Sequence, residues 1–144
     1  MKKSFKQGGV AAVEFALILP FLLILTFLVT EFGRALYQYH AITRNVRDGA
    51  RYLSVQQPNT RITEATNLVV YGNTDGSGNP LVAGLATTHV QAPDWSTAGT
   101  DPVINTVTVR VSGFEFDAMF SGFFGIAFPP ITFSDITATM RSHL

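Results

Sequence analysis

Glu14 is the residue whose type and position demand a chemical explanation. From Val10 to Thr30 the chain runs 21 residues, and Glu14 is the only charged side chain among them. Such a run makes roughly 30 Å of helix, enough for one crossing of a bilayer. A carboxylate at the bilayer centre costs about 2–3 kcal/mol or more, and acids inside spans are usually paired or functional. Near the cytoplasmic interface the cost is small, and that reading stands beside the functional one. No basic residue lies within a helical turn; Lys6, the nearest, is eight residues back across Gly8-Gly9. A partner exists once the chain is cut after Gly9. The new Val10 amine and the Glu14 carboxylate then lie four residues apart on nearly the same helix face, about 6 Å along the axis. An amine with a pKa of about 8 and a carboxylate can neutralise one another inside lipid or a protein assembly. A cut after Gly8 would make Glu14 the sixth mature residue instead of the fifth, so Gly9-Val10 is the favoured junction. The pair forms within one chain or with a neighbour's amine, and the loose intra-chain reach favours the neighbour.

The elements that must position this acid begin with the first six residues, which hold every lysine: Lys2, Lys3 and Lys6. Basic residues ahead of an apolar run predict a cytoplasmic N-terminus, with everything after Thr30 across the membrane. An ordinary secretory signal would end in a small-x-small site after a shorter apolar core. Here the run passes into Thr30-Glu31-Phe32-Gly33 with no Ala-x-Ala pattern. Pro20 removes one backbone donor and frees the Ala16 carbonyl, bending or loosening the helix there. Membrane helices tolerate such prolines, so a harmless kink and a functional one both stand.

The full chain has 144 residues, 10 Lys+Arg against 10 Asp+Glu, 14% charged residues and no cysteine. That length allows one domain, or one domain and an anchor. Beyond Lys6 the balance is seven arginines against ten acids, or −3, which gives no clustered positive field for nucleic acid. Without cysteine there can be no disulfide framework, thiolate zinc site or cysteine nucleophile. His40, His89 and His143 are far apart and show no metal-ligand spacing. No nucleophile elbow or lysine-bearing phosphate loop is present. Neither an enzyme, a cofactor nor a metal site is expected.

The helical signal continues past the apolar run. Phe32, Leu36, Tyr39, Ile42, Val46, Ala50 and Leu53 recur at steps of three and four, the mark of an amphipathic helix. Gln56-Gln57-Pro58-Asn59 supplies the break, so Val10 to Ser54 is expected to be one nearly continuous helix of about 65 Å. Arg44, Arg47 and Arg51 share a stripe with Asp48 at pairing distance, and Glu31 and Arg34 are three apart. Such charges decorate a solvated face, each pair contributing a few tenths of a kcal/mol, or they meet another subunit. Gly33 and Gly49 cost about 1 kcal/mol each in mid-helix, which predicts close approach of another backbone.

A short basic leader ending in Gly9, four apolar residues, Glu14-Phe15 and an apolar helix together resemble the prepilin (class III) signal. That resemblance implies removal of the leader by a membrane aspartyl prepilin peptidase. The likeness extends through Leu19-Pro20, Glu31-Phe32-Gly33-Arg34 and Arg47-Asp48-Gly49-Ala50-Arg51-Tyr52. Over roughly residues 8 to 53 the chain resembles the TadE-like family of pseudopilins from tight-adherence pilus systems. The resemblance implies residence in the bacterial inner membrane and a part in pilus assembly and surface attachment. Its implied partners are other pilins and pseudopilins, the inner-membrane assembly platform and membrane lipid. The closing stretch Thr137-Ala138-Thr139-Met140-Arg141 is more loosely similar.

The remainder reads as a small lobe. Thr60 to Tyr71 is a short helix with Leu68 and Val69 inward and Gly72 after its end. Asn73 to Pro80 is a dense turn whose oxygens lack the terminal glutamate of a calcium loop. Val107, Val109 and Val111 alternate with polar residues in one strand, and Ile136, Ala138 and Met140 in a second. Thr87 to Gln91 is expected as a third, weaker strand. Phe114 to Pro130 holds six of the 12 phenylalanines, as core or as an apolar surface for lipid or a neighbour.

The expected fold is α+β and pilin-like, a long N-terminal helix packed on a small antiparallel sheet. Its expected parts are a leader at 1–9, a transmembrane helix at 10–30, an amphipathic continuation at 31–54 and an exported lobe at 55–144. The function so read is that of a pseudopilin or minor pilin. The other class of reading is an uncleaved, single-span anchored binding or adhesin module.

Overall fold

A computed structural model of the chain describes residues 8–119, 122–123, 126–127 and 131–143. The leader as far as Gln7, and Phe120, Phe124 and Phe128 of the phenylalanine-rich segment, lie outside the described residues. Residues rich in Ala and Leu, with no glycine between Gly9 and Gly33, favour helix without interruption. The result is α1, Gly8–Leu53, 46 residues continuous through Pro20. Thr26 and Thr30 turn their hydroxyls back on the carbonyls of Leu22 and Thr26, each at 2.8 Å, so neither offers an unsatisfied donor to an apolar solvent.

After Pro58, the shorter helix α2 spans Ile62–Tyr71 and stops at Gly72, whose left-handed backbone (φ 76°) lets its N–H reach the Leu68 carbonyl. Arg61 donates to Glu64 across the first turn at 2.7 Å, and this hydrogen bond holds the Glu64 carboxyl below the usual carboxylate range. Ala65, Val69 and Val70 are its buried residues, with Leu68 only half-buried. The loop that follows is organised by Asn73, whose Oδ1 accepts from the N–H groups of Gly76 and Ser77.

Three strands form the main sheet in the order β1-β2-β7, all antiparallel: β1 is Asp94–Ala98, β2 Ile104–Val111 and β7 Ile136–Arg141. Register places Trp95 beside Val107 and Val109 beside Ala138. Between β2 and β7 lie four two-residue strands: β3 (Glu115–Phe116) pairs with β6 (Ile131–Thr132), and β4 (Gly122–Phe123) with β5 (Ile126–Ala127). The expected strand at Thr87 to Gln91 is corrected. Thr87–His89 is a 3-10 turn, η1, in which Ala86 N–H donates to His89 Nδ1 at 3.0 Å, and Val90 alone makes a bridge to Val111. The His89 ring shapes the turn, while Gln91 N–H still donates to the Arg110 carbonyl and Ser112 N–H to the His89 carbonyl. The third strand instead begins after Pro93, where Trp95 and Thr97 have the stronger strand preference. Gly99 turns β1 toward β2 with φ +83°, and a Cβ there would meet the Pro102 oxygen at 2.7 Å.

The core lies where the second half of α1 crosses α2 and the sheet. Ile42, Val46, Ala50 and Leu53 from α1 meet Val69 and Val70 of α2 and the Val107-Val109-Val111 row of β2. Leu85, Phe114 and Ile136 close it. After β7 the chain ties back to the helix, as His143 N–H donates to the Ser54 carbonyl at 2.9 Å. The α+β class expected from the sequence is the class observed.

Gly49 marks the tightest helix crossing. A Cβ built on it falls 2.6 Å from Val69 Cγ2 and 3.5 Å from the Ala65 carbonyl. Val69 is fully buried and β-branched, so it has little freedom to yield. Gly49→Ala gains about 1 kcal/mol of helix propensity, but overpacking costs about 1–3 kcal/mol. We expect a net loss of stability, read as a lower melting temperature of the lobe in detergent-solubilised protein. An unchanged or higher melting temperature would show that the crossing is looser than this.

Candidate functional site

α1 presents three successive environments. From Gly9 to Thr30 no residue is buried in the protein, and the surface carries exposed Val10, Phe15, Phe21, Leu25 and Val29. Among the described residues α1 is the one helix long and apolar enough to cross a membrane. Gly9 and Val10 sit exposed in its first turns. Glu14 is exposed on the same surface, and among the described residues its carboxylate has no hydrogen bond or ion pair. Phe15 is exposed beside it, and Pro20 lies half-buried within an unbroken helix.

The second environment is a clasp between α1 and the loop after β3. Arg34 Nη1 donates to both Glu31 oxygens, at 2.9 and 3.1 Å. The backbone N–H of Met119 donates to Glu31 Oε2 at 3.3 Å, and the Arg34 guanidinium lies 5.4 Å from the ring centroid of Phe116. Phe116 is buried, as is Ala35 between the two charged residues and the core. The Glu31 side chain is only 12% exposed. Its charge is therefore compensated locally by a guanidinium and a peptide N–H, while the Arg34 cation also faces the Phe116 ring. Glu31 and Arg34 are brought together as their spacing suggests; Phe32 and Gly33, from the same stretch, are exposed.

The third environment is the polar face beside the lobe. Arg44, Arg47, Asp48 and Arg51 are all exposed, and none is joined to another by an ion pair, although their spacing allows it. The four charges remain solvated, consistent with the small worth of such pairs. A groove of 560 Å³ opens here between α1 and α2, lined by His40, Arg44, Asn45 and Asp48 among others. Tyr52 is half-buried against the core.

The two helix glycines separate cleanly. Gly49 is buried and answers to α2, whereas among the described residues nothing comes within 4 Å of a Cβ on Gly33. Close approach of another backbone is thus met inside the molecule at Gly49 and not at Gly33. Phe114 and Phe116 are core residues, whereas Met119 of the same segment is exposed. Sequence reading missed Phe116 and Met119 as partners of Arg34 and Glu31. The Met119 contact spans 88 residues of chain, and no local pattern signals it.

Residues 9–51 match the family model of TadE-like proteins. The match begins at Gly9, takes in the Glu31–Arg34 clasp and ends at Arg51, so the TadE-like part is α1 itself. α2 and the sheet lie outside it. No curated protein and no solved structure matches the chain.

The clasp should behave as one unit. Removing either charge leaves the other poorly compensated at a partly buried site, so Glu31→Gln and Arg34→Met should each cost about 1–2 kcal/mol. The double variant should cost less than the sum by about 0.5–1 kcal/mol. Denaturant unfolding of the solubilised protein, followed through the fluorescence of Trp95, measures all four corners. Strict additivity would mean that the two side chains do not act together.

Proposed function

We propose that the chain is a pseudopilin or minor pilin of a tight-adherence pilus. It is held in the bacterial inner membrane by the first half of α1, with its lobe on the far side and its leader removed after Gly9 by a prepilin peptidase. The observation that carries this reading is the TadE-like match, which starts at Gly9 and covers the acid-bearing apolar helix. The solitary Glu14 supports it: an exposed carboxylate on an apolar helix calls for a cation, and a freed Val10 amine on a neighbouring subunit supplies one. Its partners on this reading are the peptidase, other pilins and the membrane assembly platform. The protein is a structural and assembly component without a catalytic role.

Processing is directly measurable. In a host with an active prepilin peptidase, N-terminal sequencing or intact mass of the membrane-extracted protein should show loss of Met1 to Gly9, leaving 135 of the 144 residues. Gly9→Leu should leave the chain inserted and uncut, because the protease must fit a small residue with pliable backbone. An intact wild-type leader would instead favour an anchored binding or adhesin module. Normal maturation of Gly9→Leu would move the junction, first to Gly8.

Glu14 separates processing from assembly. Glu14→Gln is nearly isosteric and uncharged, so it should be cut normally. It should then cross-link poorly to partner pilins, because each buried amine is left without its carboxylate, at a cost of several kcal/mol. Wild-type cross-linking and piliation would show Glu14 to be an interfacial carboxylate with no part in pairing.

A further inference from the structure

We infer that the rim of the lobe nearest the apolar half of α1, made by Phe32, Leu36 and Met119, is immersed in the edge of the bilayer, so that the lobe rests on lipid. The inference depends on the reading that the first half of α1 spans a membrane. Its basis is that the apolar surface of α1 does not end at Thr30. Leu25, Val29, Phe32 and Leu36 follow one another at steps of four, three and four, so they form one stripe along the helix. Phe32 is 63% exposed and Leu36 45% exposed. Apart from Ala35, apolar α1 surface turns into the lobe from Tyr39 and Ile42 onward.

Met119 adds a second apolar element at the same level of the helix. It is 68% exposed, and its N–H on Glu31 Oε2 holds it level with the first turn after Thr30. The charges at this level do not forbid immersion. Glu31 is paired with Arg34 and largely covered by the protein, and Arg34 is stacked on Phe116. The next ionisable groups along α1, His40 and Arg44, are exposed. Asp117, also exposed, sits two residues before Met119 and limits how deep the rim can go. Tyr37, directly after Leu36, is 76% exposed, and tyrosine favours the headgroup level. Phe15 to Leu36 makes roughly 33 Å of helix, close to the thickness of a hydrocarbon core. With that span Tyr37 falls at the far interface.

Another helix seated on the stripe is the competing occupant. Lipid is favoured because the exposed apolar residues are not confined to one seam: Phe21, Leu23 and Leu28 are exposed as well. Met119, from a separate loop, extends the patch beyond what one partner helix would line.

The absence of native cysteine makes the test direct. Leu22→Cys, Leu36→Cys, Met119→Cys and Val55→Cys, each alone in the full chain, are spin-labelled in vesicles of phosphatidylethanolamine with a minority of phosphatidylglycerol. Collisions with oxygen, which concentrates in lipid, are compared with collisions with a water-soluble nickel chelate. Leu36 and Met119 should follow Leu22, with oxygen favoured several-fold, while Val55 favours the chelate. If Leu22 is in lipid but Leu36 and Met119 behave like Val55, the inference falls and the membrane anchor stands. If Leu22 is itself open to the chelate, the anchor reading falls too. Labels at Leu36 and Met119 shielded from both reagents, with spin–spin broadening relieved by unlabelled chain, would place a second copy there and overturn the lipid contact.

Discussion

One continuous helix has to satisfy two surroundings, and the rest of the molecule is arranged around that constraint. In Gly8–Leu53 the first half exposes apolar side chains on every side, which water does not support. The second half exposes arginines on one face and buries Ile42, Val46, Ala50 and Leu53 on the other. No proline- or glycine-rich joint separates the halves, so the change of surroundings occurs along a rod. Glu31 and Arg34 sit where the change takes place. A free carboxylate there would be poorly solvated, and the structure supplies a guanidinium and a peptide N–H within hydrogen-bond distance.

That arrangement explains why the lobe cannot be separated from the helix. Four of the buried core residues belong to α1, and the tightest crossing, Gly49 against Val69, lies in the same half. α2 and the sheet alone would expose the row Val107, Val109 and Val111. The hydrogen bond from His143 to the Ser54 carbonyl fixes the chain end to the helix end, so the sheet is tied to α1 at both packing face and terminus. By contrast, Phe32 and Leu36 are exposed beyond the lobe core, and Gly33 lines a groove with Leu81, Val82 and Ala83.

Much of this was legible from periodicity. The three- and four-residue steps from Ile42 to Leu53 are the buried ones, and the alternation in β2 and β7 places Val107, Val109, Val111 and Ile136 in the core. These patterns are read locally because helix and strand geometry set them locally. What failed was decided by competition or by long-range contact. Thr87 to Gln91 has strand-like composition, but the His89 ring accepts a local N–H and makes a turn. Asp94–Ala98 has a polar, largely exposed pattern that carries little hydrophobic signal, because it is an edge strand. Of the site, Glu31 with Arg34 could be read from spacing, whereas Phe116 and Met119 come from the other end of the fold. The Arg44-Arg47-Asp48-Arg51 stripe shows the opposite limit, since correct spacing on a solvated face does not oblige the pairs to close.

The TadE-like match and the fold divide the chain in different places, and the difference is informative. The match ends at Arg51, but the lobe's core begins at Ile42, so the two overlap along the last turns of α1. Those turns face two ways: arginines outward, and Val46, Ala50 and Leu53 inward. Helix residues within the matched stretch thus form one wall of a core whose other walls lie outside it. That wall is made by Ile42, Val46, Ala50 and Leu53, with Gly49 giving α2 its close approach. Because α1 is unbroken, any lobe built on it is held at a fixed height and rotation relative to Glu14.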